Sequence, residues 1–207
     1  MALFGKKEGK SLFGKRKEEK GKKVERHELV DIPIESIIEL SDLTTYQETG
    51  DTSHAFTLFT GKKYEGDGLL RYMYHVRDVE GELVVGVDHI AGTKDEYEVS
   101  RWIVDGEQEL GEPLPDEMTL YYPDPENEDK EIAVVYNRQE VVSAKLTVTD
   151  AQGKEEFEAE LHEYINDNEE LMSVELCGNW LTFYVGILIS RSDIEIYPAT
   201  LNEQIRS

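Results

Sequence analysis

The groups in this sequence that could do chemistry are five histidines, one cysteine and forty-five carboxylates. The histidines are His27, His54, His75, His89 and His162. None pairs at i, i+2 or i, i+4 with another histidine or cysteine, the spacing that lets one element present two metal ligands. His162-Glu163 opens like a zinc-protease helix, but Asn166 stands where the second histidine is required. The spacing therefore predicts no metal site. Acidic runs at 124–131 and 166–170 lack the sixth-position glycine and alternating ligands of a twelve-residue calcium loop, and read as solvated loops.

Nucleophile and phosphate signatures are missing as well. Gly61-Lys62-Lys63 lacks the upstream glycine and the following Ser or Thr of a phosphate-binding loop. No Gly-x-Ser-x-Gly elbow occurs. Cys177 sits in an apolar stretch with no histidine beside it in sequence; it reads as a structural cysteine, with a distant partner such as His89 as the catalytic alternative. Carboxylates are too numerous for a general acid–base pair to stand out. No catalytic residue, no cofactor and no small-molecule ligand is expected. The large aromatics Trp102, Trp180, Tyr121, Tyr122 and Tyr184 read mainly as core, with Tyr121-Tyr122 as the pair that could instead form a protein-binding surface.

Charge is the dominant signal. The chain of 207 residues carries a net charge of −23. Residues 1–27 hold ten Lys or Arg against four acids, a net +6, which leaves −29 on the rest. The acidic body repels phosphate and lipid headgroups, and any contact with them falls to the basic tail. That tail contains one motif twice: Leu3-Phe4-Gly5-Lys6-Lys7 and Leu12-Phe13-Gly14-Lys15-Arg16, followed by Lys17. Large apolar groups beside cations compose an interfacial anchor, each cation being worth about 1 kcal/mol near an anionic surface. Non-specific nucleic-acid binding, folding back on the acidic body and a functionless flexible tail remain open alternatives.

One cysteine permits no intramolecular disulfide, and the N-terminus has no apolar region of signal-peptide length. A cytoplasmic location is expected, peripheral to the inner face of the membrane if the tail anchors. The uncharged run 176–190 is fifteen residues with Gly178, Asn179 and Gly186 inside it, short of the ~20 needed to span a bilayer. It reads as buried strand.

The body, residues 28–200, reads as mainly β or α+β, rich in antiparallel hairpins, between a disordered tail (1–27) and a polar end (201–207). Pro33 followed by Ile34, Ile37 and Ile38 predicts a short helix over 33–43. Strands are expected at 54–60, 69–78, 82–89, 96–104, 118–122, 131–136, 141–149, 154–161, 172–176, 179–186 and 193–197. The clearest hairpin joins Val142, Ala144, Leu146 and Val148 on one face to Phe157, Ala159 and Leu161 on the next strand, across Asp150-Ala151-Gln152-Gly153. Val76-x-Asp78-x-x-Gly81 recurs as Val148-x-Asp150-x-x-Gly153, with Trp102 and Trp180 further on. Ordinary turn chemistry accounts for this, with a duplication of two small β units meeting near 113–125 as the alternative.

The functional expectation is a non-enzymatic accessory protein whose acidic body binds a protein partner and whose tail attaches loosely to an anionic membrane surface or nucleic acid. Two alternatives stand beside it: an acidic nucleic-acid mimic that occupies a basic partner, and an enzyme of unidentified class.

Overall fold

Hairpin-forming turns and alternating apolar residues, repeated along this chain, produce a single antiparallel sheet of eleven strands in the computed structural model. It describes residues 28–41, 54–66, 68–93, 96–124 and 127–199. The tail residues Leu3, Phe4, Lys6, Lys7, Leu12, Phe13, Lys15, Arg16 and Lys17 lie outside them. The strands are β1 (Ile37–Leu40), β2 (His54–Gly66), β3 (Leu69–Arg77), β4 (Glu82–His89), β5 (Tyr97–Glu109), β6 (Glu117–Asp124), β7 (Asn127–Asp150), β8 (Lys154–Ile165), β9 (Leu171–Cys177), β10 (Trp180–Ile189) and β11 (Ile194–Tyr197). No described helix is long and apolar enough to cross a membrane.

The strand order runs β11-β1-β2-β3-β4-β5-β10-β9-β8-β7-β6, and β2 also pairs with β7. That extra pairing closes β2, β3, β4, β5, β10, β9, β8 and β7 into an eight-stranded barrel. At the seam, Thr60 lies opposite Asp150 and Glu65 opposite Lys145. The strands meet so closely there that a Cβ on Gly66 would stand 2.4 Å from the Ser143 carbonyl oxygen, so only glycine fits.

Eight strands leave an interior that side chains can fill. Tyr64, Met73, Val84, Trp102, Leu146, Leu161 and Tyr184 form one cluster drawn from seven of the eight staves, so it occupies the barrel interior. Trp102 is 1% exposed, donates its indole N–H to Ser100 Oγ at 2.6 Å and packs against Gly186, where a Cβ would come within 2.5 Å of the ring. The outer surface is covered twice. Leu29, Ile32, Ile38, Leu40 and Ile194 pack over Tyr72, Tyr74, Val85 and Val99 on one side. On the other, Leu110, Leu114, Met118, Leu120 and Val134 cover Tyr164, Met172, Val174 and Leu181. The loop before β6 is pinned by Arg138, whose guanidinium donates to the Leu114 carbonyl at 3.0 Å and pairs with Asp116, and by Tyr164, whose hydroxyl donates to the Pro115 carbonyl at 2.8 Å.

The expected helix over 33–43 is not formed, and none of the described residues is α-helical. Residues 33–36 make a tight turn: Ser36 N–H donates to the Pro33 carbonyl at 3.2 Å and Glu35 takes φ 69°, which no right-handed helix admits. Residues 37–40 then form β1, with Ile38 and Leu40 buried and Ile37 and Glu39 less so. Three isoleucines at i, i+3, i+4 within so short a run fit a period of 2 at Ile38 and Leu40 equally well. The paired edges of β2 and β11 decide for strand.

Three further boundaries differ. Asp105-Gly106 does not end β5 but forms a bulge in it: Phe183 faces Gly106 and Tyr184 faces Val104, leaving Asp105 unpaired in the register. The segments 131–136 and 141–149 are one continuous strand, β7, bent by a register shift between Arg138 and Glu140. The uncharged run 176–190 is a hairpin, with Cys177 opposite Trp180 and Gly178 at φ 64° in the turn.

The Asp-x-x-Gly hairpins form as expected. Asp78 Oδ1 accepts the Glu80 and Gly81 amides at 2.8 and 2.9 Å; Asp150 Oδ1 accepts the Gln152 and Gly153 amides at 2.7 and 3.0 Å. The two tryptophans do not continue the echo: Trp102 is inside the barrel, whereas Trp180 is 46% exposed at the start of β10. In the β7–β8 hairpin Leu146 faces Phe157, Ala144 faces Ala159 and Val142 faces Leu161. Residues 155–165 are strand throughout.

Candidate functional site

Alternation along β6 sends Tyr121 and Tyr122 to opposite sides. Tyr121 is 65% exposed, whereas Tyr122 turns inward, its buried hydroxyl beside that of Tyr136. Tyr122 is one wall of an apolar cleft of about 340 Å³ between the β6–β7 cover and the outer face of the barrel. β7 contributes Val134 and Tyr136; β5 contributes Arg101, Trp102 and Ile103; β10 contributes Val185, Gly186 and Ile187; Glu170 precedes β9.

The cleft is apolar within and acidic at its margin. Burial raises the Tyr122 phenol above its ordinary pKa, and the carboxylates of Asp105 and Glu170 add to the rise. Tyr136 is raised further, by burial first and then by Tyr122, Glu170 and Asp105. Both phenols therefore stay protonated and able to donate. Among the described residues β6 pairs with β7 alone, and it ends the strand order. Thr119, Tyr121 and Pro123 are exposed along it, alternating with the inward Met118, Leu120 and Tyr122. Apolar Ile103 and Ile187 are 50% and 39% exposed on the neighbouring barrel face.

The barrel interior is the second place where chemistry-bearing groups converge. Lys62 Nζ donates to both Glu175 oxygens at 2.9 and 3.1 Å and to Tyr184 Oη at 2.9 Å, and Tyr64 Oη also donates to Glu175. Burial alone would lower the Lys62 pKa, but Tyr184 and Glu175 outweigh it and hold the ammonium above its ordinary value. Arg71 donates to Asp88 at 2.6 Å and Glu163 at 2.7 Å, and Ser173 donates to Glu163 at 2.8 Å. The Arg71 guanidinium also lies 5.9 Å from the Trp102 ring centre. Every charge here has a partner, as a structural network requires.

His75 is half-buried beside this network, its ring edge-on to Phe59 at 6.2 Å and to Tyr184 at 6.0 Å. Its Nε2 has no hydrogen-bond partner. Burial and the neighbouring Lys62 ammonium push its pKa down to about 3. It is a neutral packing residue near pH 7 rather than a base. Cys177 packs against the interior cluster, and burial and Glu175 raise its thiol, against the opposing effect of Lys62. A reactive thiol needs the reverse. His89 lies edge-on to Tyr97 at 5.2 Å.

No family model, no curated protein and no solved structure matches the chain.

Proposed function

We propose that this is a non-enzymatic binding protein whose β6 edge and adjoining cleft take up an extended segment of a protein partner, with the basic tail holding the molecule loosely at an anionic surface. The observation that carries the reading is the eight-residue strand β6, paired on one side only among the described residues and set beside an acid-margined apolar cleft. An added strand gains main-chain hydrogen bonds from such an edge, and alternate side chains supply specificity. The partner segment is basic and apolar in alternation: apolar side chains fill the cleft between Tyr122 and Ile187, and Lys or Arg meets Glu170 and Asp105. Pro123 limits pairing to the part of β6 before it, since proline offers no amide to a neighbouring strand.

A peptide array probed with the full chain tests this. Bound peptides are expected to alternate apolar and basic residues. Thr119→Pro, which removes an edge amide, and Ile187→Asp, which charges the cleft, are each expected to weaken binding at least tenfold. Retention of full binding by both variants, or a bound set without basic residues, would overturn the reading.

The tail has its own outcome. Sedimentation with vesicles containing phosphatidylserine is expected for the full chain at low salt, to decline at high salt, and to vanish when Lys6, Lys7, Lys15, Arg16 and Lys17 are replaced by Gln. A full chain that stays in the supernatant at low salt ends the surface-attachment half and leaves the peptide half standing.

A further inference from the structure

Register, rather than sequence spacing, brings a third group of residues together. β2 and β3 are antiparallel with Thr57 opposite Arg77. β3 ends at Arg77, and the turn over 78–81 that follows it, closed by the Asp78 N–H donating to the Gly81 carbonyl at 3.0 Å, lies beside the start of β2. The side chains of His54, Asp78 and Glu80 converge there, with one donor atom from each lying within 4.8 Å of the others. We propose that these three residues bind a first-row transition-metal ion of the Zn2+ class, at a site independent of the β6 cleft.

The surroundings prepare each ligand. Asp78 is held by the turn it caps: Oδ1 accepts two amides, which fixes the carboxylate and leaves the other oxygen to face the group. This is the outer-shell orientation that metal-binding carboxylates ordinarily have. The His54 ring is steadied by Phe56, 6.3 Å away, and by its place opposite Leu40 on β1. Its Nε2 is shielded from solvent without a hydrogen-bond partner, an unfavourable state for a buried polar atom unless something binds there. Glu80, exposed on the turn, is free to swing inward. Three donors each ~2.0–2.2 Å from one ion stand about 3–3.5 Å apart, so side-chain rotation alone closes the group.

The donor set selects the class of ion. One imidazole with two carboxylates suits zinc and its neighbours, whereas magnesium and calcium take oxygen alone. Three protein ligands leave a coordination position open, and two clefts of about 310 and 620 Å³ meet at the same three side chains. The ion is therefore reachable and exchangeable, unlike a closed structural zinc. Arg77 lines one of the clefts, so an anionic ligand on the open position would find a cation beside it.

The test uses the full chain stripped with a chelator, titrated with Zn2+ by calorimetry and with Co2+ by visible absorption, with Mg2+ as the control. One Zn2+ per chain is expected, with visible Co2+ bands and a raised thermal midpoint. His54→Ala and Glu80→Gln are each expected to weaken Zn2+ at least tenfold and to remove the rise in midpoint. Glu80 is exposed on a turn, so its variant reports on the site without disturbing the fold. Absence of one-to-one uptake would overturn the proposal. So would Mg2+ binding as tightly as Zn2+, or wild-type affinity in both variants, since either result assigns uptake to the scattered surface carboxylates.

Discussion

Glu175→Ala is expected to destabilise the protein by about 3–5 kcal/mol, the usual cost of stranding one member of a buried ion pair. Glu175 is the acceptor on which Lys62 and Tyr64 both converge inside the barrel. Without it the Lys62 ammonium keeps only the Tyr184 hydroxyl, and the Tyr64 hydroxyl loses its acceptor. Urea denaturation of the single variant measures the cost. The triple variant Lys62→Met, Tyr64→Phe, Glu175→Leu removes charge and donors together, and is expected to recover most of the loss. A single-variant cost below about 1 kcal/mol would mean that water reaches the network and replaces the carboxylate.

The second large effect is in acid. His75 has a folded pKa near 3 and an ordinary unfolded value of 6.5, so between those limits the unfolded chain binds a proton that the folded chain refuses. Its contribution is intact above pH 6.5 and is lost as the pH falls from 6.5 toward 3. At about 1.4 kcal/mol per pH unit, this one group removes about 3 kcal/mol by pH 4. His162 acts in the same direction, its pKa lowered by burial against the opposing pull of Glu160. His75→Leu eliminates the proton uptake along with an unpaired buried nitrogen. The variant is expected to match the wild type at pH 7 and to exceed it by about that amount at pH 4. Urea midpoints of both proteins at pH 7, 5.5 and 4 give the difference curve, in which all other titrating groups cancel. Parallel curves would show that His75 is already solvated in the folded state.

Much of the sheet could be read from the sequence where one face is apolar and the turn is chemically marked. Val142 to Val148 alternates against Phe157 to Leu161 across an Asp-capped turn, and each fact predicts the same hairpin. Leu69 to Asp78 and Glu82 to His89 are similar. What could not be read is the closure. In β2 the residues that face inward after Phe59 are Lys62 and Tyr64, and a strand that carries an ammonium on its buried face shows no apolar alternation. The strand expected there therefore stops at residue 60, before Gly61-Lys62-Lys63. The bulge at Asp105 and the bend in β7 were hidden because Asp-Gly and Asn-Arg-Gln sequences serve turns and irregular strands equally. Candidate sites were less legible still. Tyr121 and Tyr122 stood out by type, but only the pleat separates them into one exposed ring and one cleft wall. His54, Asp78 and Glu80 share nothing in sequence, and only the pairing of β2 with β3 brings them together.

The β2–β7 seam also sets the order in which this chain can fold. Hairpins such as β3–β4 and β7–β8 join residues close in sequence, whereas the seam, like the β5–β10 pairing, joins distant ones, separated by eighty residues (Glu65 with Lys145) to ninety (Thr60 with Asp150). The loop entropy of such distant contacts is met before they reward the chain, so local ribbons assemble first and the cylinder shuts last. Until it shuts, two long strand edges stand open to any neighbouring molecule. Lys62 and Lys63 lie on one and Lys145 on the other, and like charges brought edge to edge oppose pairing between chains. The same ammonium that anchors the finished interior at Glu175 thus serves, earlier in the life of the molecule, as a guard against aggregation.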